Sequence, residues 1–328
     1  GMLANIILRT IINLTAAIAC WVPFRLFQKN GELAGMVMVV AVGILNFYYA
    51  LNAVIWHNDD IASWPKGYGW CDIQLASFLP LETLNAAAIC AVMQNISNQV
   101  SLMRASELTR RDKARKNMMQ ALIIIPVPVL QVVLYYFNIA KRYSISGIVG
   151  CQAVFTSTSV FLTVFVLPPP IFAVAAAYFA GLTWWRYRKI DVIARRALYN
   201  SGDFGSRARS NRTKRKLYFM ALTIIAPYCP MQLIFLFNNI KLGMPWSKPY
   251  DFAQLHGPGW DQIDYMVNLS LSQMVRSHMY INYIAALEVV VFFIYFGCTQ
   301  EAYEMYRKYL RTLGIGKIFA GLSERWPP

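Results

Sequence analysis

The sequence predicts an all-α integral membrane protein, a seven-helix bundle with its amino terminus outside, its carboxyl terminus inside and a short amphipathic helix after the last span. Three observations predict it. The 328 residues are 57% hydrophobic and only 14% charged, with a mean hydropathy of +0.39. A soluble chain of this length needs more charge on its surface. Seven apolar runs follow one another, roughly Ala4–Phe24, Leu33–Trp56, Leu75–Leu102, Met118–Ile139, Thr156–Trp185, Leu217–Ile240 and Ser277–Phe296. Each reaches or approaches the ~20 residues that carry a helix across a bilayer core. The connections alternate in charge: the linkers after runs one, three and five, with the tail after run seven, hold 24 of the 31 Lys and Arg, against six on the other side and Arg9 inside run one. Basic residues are retained in the cytoplasm, which fixes the orientation.

The first run has Arg9 near its start and no small-residue cleavage site after a short apolar core, so it reads as a retained span rather than a signal peptide. With Met2 as the start, the extracellular amino terminus is expected to be only a few residues long. In the second run Asn46, Tyr49 and Asn52 recur at helical spacing, and in the third Gln94, Asn98 and Ser101 do the same. Polar side chains on one face glue membrane helices together, and a signalling role is the alternative. Prolines interrupt the third (Pro80), fourth (Pro126, Pro128), fifth (Pro168, Pro169, Pro170) and sixth (Pro227, Pro230) runs. Neighbouring helices satisfy the carbonyls that proline frees, and kinks are expected. After Gly297, the apolar Ala302, Met305, Tyr306, Tyr309, Leu310 and Leu313 oppose Glu301, Glu304, Arg307, Lys308 and Arg311, the pattern of a helix lying on the membrane surface. The expected division is a seven-span domain over residues 1–298 and a cytoplasmic tail over 299–328.

Net charge +15 does not indicate nucleic acid. The Lys and Arg lie between spans, and no zinc-finger, RNP or helix-turn-helix pattern accompanies them. Topology and attraction to anionic inner-leaflet lipid account for most of the charge. The longest inner linker, Arg186–Lys216, reads as a solvated connection or as a landing surface for an acidic partner.

Of six cysteines, Cys20, Cys90, Cys229 and Cys298 lie within spans or at their inner ends, as small apolar filler. Cys71 and Cys151 both fall at the outer, oxidising face and are the expected disulfide pair. A bridge there pins the second outer loop over the mouth of the bundle.

Ionisable groups inside the spans are Arg9, Glu82 and Glu288. A charge at mid-bilayer costs about 2.5–3.5 kcal/mol on the mildest scale, so these side chains are expected to face the bundle interior. Glu82 and Glu288 are the candidate polar floor of a ligand site, with protonated carboxyls bonded between helices as the structural alternative. Aromatic residues crowd the outer loops: Trp64, Tyr68 and Trp70 in the first, and Trp246, Tyr250, Phe252, Trp260 and Tyr265 in the third. They suit either an interfacial belt or ligand contact.

His57, His256 and His278 are scattered without metal-ligand spacing, and the serines near them lack a supporting catalytic motif, so neither an enzyme nor a metal site is expected. The seventh run has no lysine for a retinal Schiff base. A transporter of a small solute or peptide remains the alternative, although the two halves show no convincing repeat.

Several stretches together carry a family resemblance. They are Trp21-Val22-Pro23-Phe24-Arg25-Leu26, Asn46 through Trp56, Trp70-Cys71-Asp72-Ile73, Pro126 with Gln131, Gly150-Cys151, Tyr218-Phe219-Met220-Ala221-Leu222, and Phe292 through Ala302. In order and at these spans, they make the chain resemble the fungal mating pheromone receptors of the a-factor type, which recognise a farnesylated peptide, within the class D G-protein-coupled receptors. No Asp-Arg-Tyr triplet ends the third span and no Asn-Pro-x-x-Tyr occurs in the seventh, unlike the rhodopsin-like class. The resemblance implies a plasma-membrane receptor without cofactor or covalent chemistry, whose partners are a farnesylated peptide pheromone, membrane lipid and a heterotrimeric G protein. It also allows a homodimer, although no span carries a Gly-x-x-x-Gly signal strong enough to place the interface. The ligand is then expected at Tyr49, Glu82, Asn85, Trp260, Tyr265 and Glu288. The G protein is expected at Arg104, Arg110, Arg111, Lys214, Arg215 and Lys216.

Overall fold

The computed structural model describes residues 2–58, 60–101, 110–198, 205–244, 246, 250–266 and 281–312. Among them, six helical stretches are long and apolar enough to cross a membrane: Ala4–Asn30, Leu33–Ile55, Trp70–Asn98, Arg111–Asn138, Ser159–Arg186 and Leu222–Gly243. A seventh, Asn282–Gly297, joins Gln300–Tyr309 through a bend of 100°. The membrane part is therefore the helical bundle that hydropathy and charge predict. Large apolar side chains on its outside, such as Ile18, Val133, Ile171, Tyr178 and Phe237, are exposed. In a bilayer these face lipid tails rather than water.

The third span runs through the centre of the bundle as one helix, Trp70–Ser101, and packs along the fifth. Small residues permit this: Ala86, Ala87, Ala88 and Ala91 share a buried cluster with Ala173, Ala176 and Ala180. Without a hydrophobic drive between helices in lipid, close backbone approach at small side chains supplies the packing energy.

Proline sets where the helices bend. The fourth span is two helices, Arg110–Ile124 and Pro126–Asn138, broken before Pro126. The fifth begins at Ser159–Phe161, passes through a π-helical turn, Leu162–Val166, and restarts at Pro168. A proline at a first helical position gives up an N–H that had no partner anyway. Pro80, by contrast, lies inside the third helix, and Pro227 and Pro230 lie inside the helix Gly205–Gly243. The helix Gln300–Thr312 turns its Ala302 onto Val22 and Leu26 at the inner end of the first span, while Glu301, Glu304, Arg307 and Lys308 stay exposed.

The outer loops depart from an entirely helical chain. Strand β1 (Ile139–Ser146) pairs antiparallel with β2 (Gly150–Phe155), and β3 (Asp264–Met266) adds parallel to β1, so the sheet order is β2-β1-β3. Ile145 is the central residue of this small sheet, opposite Cys151 on one side and Tyr265 on the other. The hairpin turns at Gly147 to Gly150, where Ile148 (φ 65°) and Gly150 (φ 82°) adopt left-handed backbone.

Gly150 is required twice over. Its positive φ disfavours any side chain, and a Cβ there would fall against the side chain of Asn52. Asn52 binds the hairpin to the bundle: its Nδ2 donates to the Val149 carbonyl at 2.9 Å, and its Oδ1 accepts from Trp70 Nε1 at 3.2 Å. Gly150→Ala is expected to lose both bonds and destabilise the protein by about 2 kcal/mol or more. A fall in Tm of the purified variant checks this, and an unchanged Tm contradicts it.

Candidate ligand cavity

The second outer loop is fastened over the bundle from several directions. Cys71 at the head of the third span is disulfide-bonded to Cys151 of β2, with Cα atoms 5.5 Å apart. Beside it, Arg142 of β1 grips Asp72 with two hydrogen bonds, Nε to Oδ1 at 3.0 Å and Nη2 to Oδ2 at 2.7 Å. The bonds to Asp72 raise the pKa of Arg142 further above its ordinary value. Tyr143 is buried, which pushes its phenol up to about 12, and its hydroxyl donates to the Lys66 carbonyl at 3.0 Å. Lys141 pairs with Asp264 of β3 at 2.6 Å, and the Arg142 N–H donates to the Trp260 carbonyl at 3.1 Å, which ties the third outer loop to the second.

Because Asp72 and Arg142 remain partly in solvent, Asp72→Asn is expected to cost about 1 kcal/mol or less, and less still at high salt. Thermal unfolding at two salt concentrations measures it. A loss that does not shrink with salt contradicts this reading.

Beneath this lid lies a cavity of about 490 Å³ with a mixed lining. Its polar side chains come from the second, third and sixth spans and from β2: Tyr49, Asn52, Gln74, Glu82, Gln152, Gln232 and Asn239. An aromatic and aliphatic wall forms where the fifth and sixth spans meet the loop: Phe155, Phe161, Phe165, Pro169, Leu236 and Trp246. Phe161 is its centre, stacked on Phe155 with centroids 4.3 Å apart and near Phe165 (5.6 Å) and Trp246 (6.3 Å). The π-helical turn at Leu162–Val166 follows Phe161 directly and contains Phe165.

A smaller chamber of about 50 Å³ continues below, sharing Tyr49, Glu82, Gln232 and Phe235 with the larger cavity and adding Asn85, Tyr228 and Glu288. Asn85 Nδ2 donates to Glu288 Oε2 at 2.9 Å, joining the third span to the seventh. Of the residues expected from sequence, Tyr49 and Glu82 thus line both spaces, and Asn85 and Glu288 line the lower one.

Trp260 and Tyr265 lie elsewhere, in the loop cluster above. Trp260 packs with Tyr136 and His256 (centroids 5.6 and 5.1 Å), and Tyr265 packs against Trp64 (6.2 Å). Sequence reasoning missed Phe155, Phe161 and Phe165. The available signal was the spacing of Phe161 and Phe165, four residues apart ahead of three prolines, which places them on one helical face.

On the inner side, Arg111 is exposed at the start of the fourth span. Lys116 bonds Glu32 at 2.8 Å, and Arg186 Nη1 donates to the Ser97 carbonyl and hydroxyl at 2.6 and 2.9 Å, fixing the fifth span to the third. Arg104 and the side chains of Arg110, Lys214, Arg215 and Lys216 lie outside the described residues. No group of three or more His, Cys, Asp or Glu suited to a metal ion occurs among the described residues.

The Pheromone A receptor family matches residues 8–314 of this chain. Similar proteins include the Pheromone B alpha 1 receptor of Schizophyllum commune, 24% identical over 89% of this chain and 45% of that protein. The Pheromone B alpha 3 receptor of the same organism is 25% identical over 92% of this chain and 47% of its own length. The Pheromone a factor receptor of Saccharomyces cerevisiae is 22% identical over 93% of this chain and 62% of its length. The chain spans about half the length of the Schizophyllum receptors it matches. With that match extending from the first span through the bend after the seventh, this multi-pass membrane protein belongs to the Pheromone A receptor family.

Proposed function

We propose that this chain is a G-protein-coupled receptor of the plasma membrane that binds a farnesylated peptide pheromone and activates a heterotrimeric G protein. The observation that supports it best is the cavity beneath the disulfide-pinned lid, which has an aromatic wall and several polar side chains. Its volume is within the ~300–1,000 Å³ of small-ligand sites. The aromatic wall around Phe161 suits a prenyl chain, and the remaining lining offers amide, hydroxyl and carboxylate groups to a peptide.

A prenyl chain gains about 0.8 kcal/mol for each CH₂ it buries, so it partitions into the bilayer first and exchanges lipid for the aromatic wall afterwards. The peptide part meets Tyr49, Asn52 and Gln152, with Glu82, Asn85 and Glu288 beneath. Agonist then favours the arrangement of the third, fifth and seventh spans that presents the basic inner surface, Arg111 with Arg104, Arg110, Lys214, Arg215 and Lys216, to the G protein. A transporter reading finds less support, since the similar proteins are receptors by name.

The test uses a panel of candidate peptides whose farnesyl chain carries a photoreactive group. Crosslinks to Phe155, Phe161, Phe165 or Trp246, competed by the unlabelled farnesylated peptide, are the expected result. Labelling confined to the lipid-facing exterior, with no competition, overturns the cavity assignment.

A further inference from the structure

The lower chamber holds more acceptors than the protein satisfies. Glu82 and Glu288 face it from the third and seventh spans, and Glu288 is only 8% exposed. Asn85 turns its Nδ2 to Glu288, which leaves its Oδ1 buried and without a hydrogen-bond partner on a residue 4% exposed. Among the described residues, no hydrogen bond or ion pair reaches the Glu82 carboxylate, and no Lys, Arg or His lines the chamber. The other polar groups there are the Tyr49 and Tyr228 hydroxyls and the Gln232 amide.

Two carboxyl groups and an orphaned amide oxygen at membrane depth form an oxygen-only set. Carboxyls so placed are held ionised when a positive charge sits among them. Oxygen ligands without thiolate or imidazole select hard cations of the sodium and calcium kind rather than zinc or copper. The ~50 Å³ of space admits such an ion with a water, and the chamber adjoins the larger cavity along Tyr49, Glu82, Gln232 and Phe235.

We infer that this chamber is a binding site for a hard metal cation, held by Glu82, Glu288 and Asn85 Oδ1 and reached through the cavity above. The cation bridges the third and seventh spans, so its occupancy is linked to whichever arrangement of those helices the receptor adopts. This holds whatever ligand the upper cavity takes, so the inference stands or falls apart from the pheromone reading.

The test is thermal unfolding of the purified receptor in nanodiscs, with NaCl exchanged for choline chloride at constant ionic strength and CaCl₂ titrated in parallel. A saturable rise in Tm of about 3 °C is expected with sodium or calcium but not choline. Glu82→Gln and Asn85→Ala should each abolish it, while Asp261→Asn, an exposed outer-loop change, keeps it. Equal Tm in all three salts, or a rise that survives Glu82→Gln, overturns the site. Should either variant fail to fold, radiolabelled sodium and calcium binding to the unaltered receptor decides. Saturable uptake of one of them supports the site, and uptake of neither overturns it.

Discussion

Replacing Cys71 and Cys151 together with serine is expected to destabilise the receptor by about 4 kcal/mol and to remove most of it from the cell surface. The bridge joins residues 80 apart in sequence, and closing a loop of that length withdraws ~4–5 kcal/mol of chain entropy from the unfolded state in the simplest treatment. Membrane-inserted helices already restrict that unfolded chain, which places the expectation at the lower end. The loss concentrates at the lid, because Cys151 is opposite Ile145 in the sheet and Cys71 is fully buried beside Trp56 and Trp64. Tm and surface immunolabelling measure it. A double variant with wild-type Tm and surface level contradicts the role given to the bridge.

Phe161→Ala is expected to weaken the response to a farnesylated peptide by about 30-fold, while leaving expression and Tm nearly unchanged. In the receptor alone Phe161 is only half-buried, so truncating it removes little core packing. With a prenyl chain against it, the ring becomes the centre of the aromatic wall, and losing such a contact costs about 2 kcal/mol, where each 1.4 kcal/mol is tenfold in affinity. Dose-response curves at equal surface density measure the shift. A loss below about threefold contradicts the aromatic wall as the lipid subsite.

The membrane part of this fold was legible because its physics is one-dimensional. Twenty apolar residues between basic and neutral linkers leave few arrangements, and the six long helices with the bent pair Asn282–Gly297 and Gln300–Tyr309 follow the apolar runs closely. The Cys71–Cys151 pair was legible from the same topology, since only these two cysteines share the outer face. The sheet was not. Ile139–Ser146, with Lys141, Arg142 and two serines, and Gly150–Phe155 are short runs without a sustained alternation, and periodicity alone does not separate such runs from helix ends. What makes them strands is tertiary: Asn52, Asp72 and Cys71 hold the hairpin, and β3 arrives from more than a hundred residues away.

The lining of the candidate cavity was legible only in part, for a related reason. Charge inside a membrane is conspicuous, so Glu82 and Glu288 stood out and both line the lower chamber. Aromatic residues occur in every span and in each outer loop, so sequence could not distinguish Trp260 and Tyr265, which pack within the outer loops, from Phe161 and Phe165, which face the cavity.

The most direct measurement of the central claim is agonist-stimulated nucleotide exchange on a purified fungal heterotrimeric G protein, with this receptor in nanodiscs and matched farnesylated and unfarnesylated candidate peptides. The account predicts stimulation by a farnesylated peptide and little or none by its unfarnesylated twin. Stimulation by neither across the panel, while a control receptor activates the same G protein, would contradict it.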